Sequence, residues 1–140
     1  MRINSRALDY FHPKPWDVIA DQIGRYTAHH SPFMAEIVDS IRACGAAGRL
    51  AGFMSMHDLA VTPVPVPSQG PIEVVWVRPQ PHSGAPEERE VLIEHYAPTG
   101  HDDRIWRPGT EAVALFWRFM IEKFGIEPNR ADNRDGASAS

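Results

Sequence analysis

Apolar residues recur at spacings of three and four in two segments near the start of the chain, which is the pattern of a helix with one buried stripe. The first segment follows Pro15, a residue suited to the first turn of a helix, and its stripe is Trp16, Ile19, Ile23 and Tyr26. The second follows Ser31-Pro32, an N-cap serine with proline at the first helical position, and its stripe is Phe33, Ile37, Ile41 and Cys44. We therefore predict two helices, the second ended by Gly45 and Gly48.

The pattern then changes to an alternation typical of extended chain. Between Arg49 and Val61 one side of the predicted strand carries Phe53, Ser55, His57, Leu59 and Val61. The four prolines within residues 62–71 predict an edge or polyproline-like connection. Strands are expected at Ile72–Val77 and Val91–Ala97, and a short fourth strand at Ile105 and Trp106.

A last helix is expected from Thr110, a plausible N-cap, to Phe124, with Gly125 ending it. Apolar residues occupy most of its circumference, so it must be buried on several sides. Either the other helices of the same chain or a second subunit covers it, and the second reading predicts a homodimer. The polar residues 127–140 are expected to form a disordered tail.

Strands grouped between helices favour an α+β fold with an antiparallel sheet, because parallel strands need crossover helices between them. We predict one domain, residues 1–126, with two N-terminal helices, a sheet of three or four strands, and a long apolar C-terminal helix packed on the sheet.

Composition limits the class of protein and its cellular location. The chain has 140 residues and a formal charge of −4, which argues against nucleic-acid binding. Cys44 is the single cysteine, no secretory segment is visible, and the longest apolar run, Ala112 to Trp117, is too short for a membrane span, so a cytoplasmic protein is expected. Arginine supplies twelve of the fourteen basic residues, a bias typical of a GC-rich bacterial genome. Without a phosphate-binding loop, no nucleotide is expected.

The histidines are the main candidates for catalysis or metal binding. Alternation predicts that His57 and His95 share one face of the sheet, where His95 would act as a general base oriented by His57 or Asp102. Alternatively His57, His95 and His101 bind a divalent metal, with Asp102 or Asp103 as an oxygen ligand. No standard metal-binding spacing supports this, and a histidine on an apolar face is often a structural residue. Glu94 should point to the opposite face and pair with Arg78 or Arg104.

Two functions remain open, and the sequence does not decide whether the protein is an enzyme. In the first, a cavity between sheet and helices binds a small molecule, with proton transfer at the histidines, metal-assisted if the ion is present. That cavity would be lined by Phe53, Trp76, Phe116 and Trp117. In the second, an adaptor, inhibitor or immunity-type module uses the aromatic C-terminal helix to bind another protein.

Overall fold

The computed structural model describes residues 7–28, 31–80, 89–100 and 102–128. Their helices are α1 (Trp16–Tyr26), α2 (Pro32–Ala43) and α3 (Ala112–Phe119). The strands are β1 (Leu50–Ser55), β2 (Asp58–Pro63), β3 (Val74–Pro79), β4 (Glu90–Tyr96) and β5 (Asp102–Pro108). The fold is therefore α+β, as predicted. Apart from Glu127 and Pro128, the predicted tail lies outside the described residues.

The five strands form one antiparallel sheet in the order β1-β2-β3-β4-β5. The prediction of three or four strands was wrong, because the segment from Arg49 to Val61 is two strands and not one. Ser55 pairs with Asp58, so the chain reverses through Met56 and His57. Met56 adopts a left-handed backbone with a φ of 58°, a conformation uncommon for a residue other than glycine.

One face of the sheet, the inner face, carries all three helices. Its apolar side chains form one core with the helices: Leu59, Val61, Val75, Val77, Val91 and Ile93. Ile19 and Ile23 of the first predicted stripe are fully buried there, while Tyr26 is 60 % exposed. The stripe of α2 is buried at Phe33, Ile37 and Ile41.

The other face, the outer face, is partly covered by the N-terminal arm, residues 7–14. Leu8 exchanges two main-chain hydrogen bonds with Ile72 (3.1 and 2.7 Å). The Lys14 N–H donates to the Gly52 carbonyl at 2.9 Å. A Cβ on Gly52 would lie 2.6 Å from the Trp16 ring, so glycine at this position lets Trp16 pack against β1 and donate to the Leu50 carbonyl (3.1 Å).

The C-terminal helix is shorter and less uniformly apolar than predicted. α3 has eight residues and continues as a π-helical turn, Met120–Phe124, which ends at Gly125, as expected, with a φ of 69°. Arg118, Ile121 and Glu122 are exposed, so one side of this segment faces solvent. No helix in the described part of the chain has the length and apolar character needed to cross a membrane.

Candidate functional site

His95 lies on the inner face, where its ring is held by a carboxylate. Its Nε2 is 2.5 Å from Glu73 Oε2, and only 7 % of its side chain is exposed. The Phe124 ring packs against it at 6.2 Å between centroids. The remaining nitrogen, Nδ1, is buried without a hydrogen-bond partner among the described residues. A substrate would have to displace packed side chains to reach it.

His57 occupies a different place. It sits in the β1–β2 turn, with Nδ1 2.8 Å from Thr27 Oγ1. It lines a small groove of about 240 Å³ together with Ser31, Met56, Asp58, Pro79, Gln80 and Arg89. The strand register aligns His57 with the start of β4, so His95 lies two strands across and four residues along, or about 16 Å away at ordinary strand spacings. The structure does not bring the two imidazoles together.

The carboxylates of the predicted site are also separated from one another. Asp103, not Asp102, is the residue of β5 paired with His95, and its carboxylate is bonded to Lys123. Asp102 pairs with Tyr96 and so faces the outer side of the sheet. His101 lies outside the described residues. Within them, no three His, Cys, Asp or Glu side chains are grouped as a metal ion would require.

The four predicted ligand-binding aromatics form two pairs on opposite sides of the sheet. Phe53 and Trp76 meet edge to face on the outer face, 5.7 Å between centroids. Phe116 and Trp117 meet in the inner core at 5.2 Å, where Trp117 Nε1 donates to Ser40 Oγ (3.0 Å). A single cavity lined by all four is not formed. The helix aromatics Phe116, Trp117 and Phe119 are buried by their own chain.

The prediction that Glu94 pairs with Arg78 or Arg104 is confirmed, and both pairs exist. Arg78 Nε lies 2.6 Å from Glu94 Oε1, and Arg104 Nη2 lies 3.5 Å from Oε2. Arg78 also contacts Asp58 Oδ2 at 2.5 Å and stacks 4.5 Å above the Trp76 ring. Burial raises the pKa of Asp58 above its ordinary value, even though Arg78 acts to lower it. Glu94 is almost fully buried, with 5 % of its side chain exposed.

A larger groove opens where the arm, α1 and the free edge of β1 meet. Its volume is about 550 Å³, within the range typical of small-molecule sites. Its lining includes Tyr10, His12, Lys14, Gln22, Phe53 and Trp76. Phe53 and Trp76 are thus the two predicted ligand-binding residues that the structure brings together in one concave site.

Two polar groups of residues that line this groove have no hydrogen-bond partner among the described residues. The Oε1 of Gln22 is buried and unbonded within the described chain. In an antiparallel strand, alternate residues direct their main-chain groups to opposite neighbours. Since the Gly52 carbonyl faces Lys14 and the arm, the main chain of Met54, two residues on, faces the same way. No described residue pairs with it there.

The sequence reasoning missed Gln22, Met54 and Glu73. Gln22 lies on a helix and Met54 on a strand whose faces were assigned without the hairpin, and Glu73 reaches His95 from the position just before β3. None belongs to a short motif, so no local signal identifies them. Comparisons with models of known families, with curated protein sequences and with solved structures find no match for the chain.

Proposed function

We propose that the groove beside β1 binds a small organic molecule with a flat apolar ring and an amide-like edge. The observation that supports this most directly is that Gln22 lines the groove containing the Phe53–Trp76 pair, while its Oε1 is buried without a partner among the described residues. A buried carbonyl oxygen without a donor costs about 1–3 kcal/mol. A ligand N–H or O–H would remove that cost when the Gln22 side chain turns its Oε1 into the groove.

The remaining groups of the groove define the rest of the ligand. The main chain of Met54 offers one donor and one acceptor, which an amide matches with its own carbonyl and N–H. Phe53, Trp76 and Tyr10 offer aromatic surfaces for an apolar ring. Asp9 and Lys14, of opposite charge, both line the groove, so neither a cationic nor an anionic ligand is favoured by charge alone. The proposal concerns binding and assigns no reaction.

Benzamide and N,N-dimethylbenzamide test the proposal as a matched pair of probes, because only the first has N–H donors. In a ¹H–¹⁵N NMR titration, benzamide should shift the Met54 amide and the Trp76 indole resonances, and the dimethyl compound should bind more weakly. Gln22→Met should weaken benzamide binding roughly fivefold, the equivalent of about 1 kcal/mol. Asp21→Asn, on the exposed side of the same helix, should leave it unchanged.

Two results would contradict the proposal. One is the absence of benzamide-induced shifts at groove residues. The other is equal affinity in the wild-type protein and Gln22→Met, which would mean that the unpartnered oxygen takes no part in binding.

A further inference from the structure

Strand β5 forms the second edge of the sheet, far from the groove beside β1. The Gly109 N–H donates to the Arg89 carbonyl at 2.7 Å, which places the main chain of residue 109, and of every second residue before it, towards β4. The main-chain groups of Asp102, Arg104 and Trp106 therefore point away from the sheet. Such a row of outward groups is a template for pairing with another strand.

Among the described residues these outward groups have almost no partners. The exception is the Trp106 carbonyl, which accepts from the side chain of Arg107 (2.8 Å). That bond involves an exposed arginine next to it in sequence, so an incoming N–H can replace it. The Trp106 indole itself is 49 % exposed. Tryptophan is enriched at protein–protein interfaces relative to the rest of the protein surface.

We propose that β5 pairs antiparallel with β5 of a second copy of the chain, about a two-fold axis at Ile105. The segment from Asp103 to Arg107 is self-complementary in that register. Asp103 of one copy lies opposite Arg107 of the other, and the symmetry repeats this pair. Arg104 of one copy lies opposite Trp106 of the other, also twice. Opposite charges and cation–aromatic pairs at such positions are stabilising.

The main-chain geometry fits the same register. Arg104 and Trp106 both point outward, so the two residues exchange N–H···O=C bonds with each other across the axis. Ile105 then meets its own copy at the close, non-hydrogen-bonded position, on the side of the sheet that carries Asp103 and Arg107. The two sheets join into one.

The two neighbouring registers of the β5–β5 pair are less stable. An axis at Arg104 would place the two Arg104 guanidinium groups opposite each other, and like charges opposite each other destabilise a strand pair. An axis at Trp106 would place Pro108, which has no N–H to donate, opposite Arg104 next to the centre of the paired segment, whereas an axis at Ile105 places it opposite Asp102 at the end of the segment. The pattern of charges and proline therefore selects Ile105 as the centre.

The sequence also predicts a homodimer, but the interface proposed here is a different surface of the protein. That expectation relied on the C-terminal helix, whose aromatic residues are buried within their own chain. The edge of β5 needs no rearrangement of the core, and it leaves the groove beside β1 open.

Sedimentation velocity over a wide range of concentration tests the assignment. The wild-type protein should show a concentration-dependent dimer. Arg104→Pro should abolish it, because this N–H makes no bond to β4 and proline is tolerated at such edge positions. Arg107→Asp should also abolish it by placing two carboxylates opposite each other, and the double variant Asp103→Arg/Arg107→Asp should restore it.

Unchanged circular dichroism would show that each variant keeps its fold, and Arg104→Pro avoids the Asp103–Lys123 contact altogether. A wild-type protein that is monomeric throughout would overturn the inference, as would a dimer that survives Arg104→Pro. If Arg104→Pro abolishes the dimer and Arg107→Asp does not, then the two β5 strands pair in another register and the axis at Ile105 is wrong.

Discussion

Arg78 and Glu94 are joined across strands β3 and β4 by a 2.6 Å hydrogen bond from Nε to Oε1. The glutamate is almost fully buried, whereas 28 % of the arginine side chain is exposed. A buried carboxylate is stabilised only while its cation stays in place. Arg78 also contacts Asp58 and the Trp76 ring, so one guanidinium neutralises or covers three neighbours on the outer face.

We predict that Arg78→Met lowers the free energy of unfolding by about 2–4 kcal/mol, because it leaves Glu94 without its close partner. Urea denaturation measures this change. Arg104→Met, measured like Arg78→Met at a concentration where the protein is monomeric, is the matched control: that arginine is 3.5 Å from the same glutamate and 41 % exposed, so its loss should cost less than about 1 kcal/mol. Equal effects of the two substitutions would mean that Arg78 has no special role.

The pKa of Asp58 gives a prediction with a definite sign. Burial raises this pKa in the folded state above its ordinary value of 3.8, so the folded protein holds the proton more tightly than the unfolded chain. The corresponding stabilisation is present below 3.8 and is lost as the pH rises through the folded-state pKa. Asp58→Asn cannot titrate and lacks this dependence.

Wild-type protein and Asp58→Asn should therefore be compared in urea at a pH below 3.8 and again at neutral pH. The stability of the wild type relative to Asp58→Asn should fall between the first condition and the second. Comparing the two proteins cancels the titration of the groups that do not interact with Asp58. A relative stability that rises with pH would show that Arg78 outweighs the burial of the carboxylate.

His95 is predicted to be a structural residue of the inner core. Its side chain is buried, bonded to Glu73 and packed on Phe124. His95→Ala should lower the free energy of unfolding by about 2–3 kcal/mol, through lost contacts and a cavity. His95→Leu should cost less, because leucine fills the space, removes the Nδ1 that has no partner in the described part of the chain, and leaves Glu73, 35 % exposed, free to hydrate. A catalytic role would instead predict that His95→Ala remains about as stable as the wild type.

The helices and the face of the sheet on which Glu94 lies could be predicted because each depends on local periodicity. Ile19 and Ile23 are buried as their spacing indicates. Glu94 and His95 lie on opposite faces of the sheet because adjacent residues of a strand alternate between its faces. These conclusions need no knowledge of which strands are neighbours.

The candidate site could not be predicted because it depends on register. The choice between Asp102 and Asp103 beside His95 is a one-residue difference, and a shift of one residue moves every side chain to the other face. The contact of Glu73 with His95 requires the pairing of β3 with β4, which the sequence does not specify. The grouping of Phe53 with Leu59 and Val61 failed for a more specific reason, the missed turn at Met56.

That turn yields the last prediction. Hairpins of this length favour glycine where the first turn residue has a positive φ, but here the residue is methionine, with a φ of 58° and 88 % of its surface exposed. Met56→Gly removes the strain on Cβ and loses almost no buried surface. It should raise the free energy of unfolding by about 0.5–1 kcal/mol, measured by urea denaturation. Ser55→Gly, at the neighbouring strand position, is the control and should be destabilising, because glycine there adds only conformational entropy to the unfolded chain. A loss of stability in Met56→Gly would imply that the methionine makes a contact that outweighs its backbone strain.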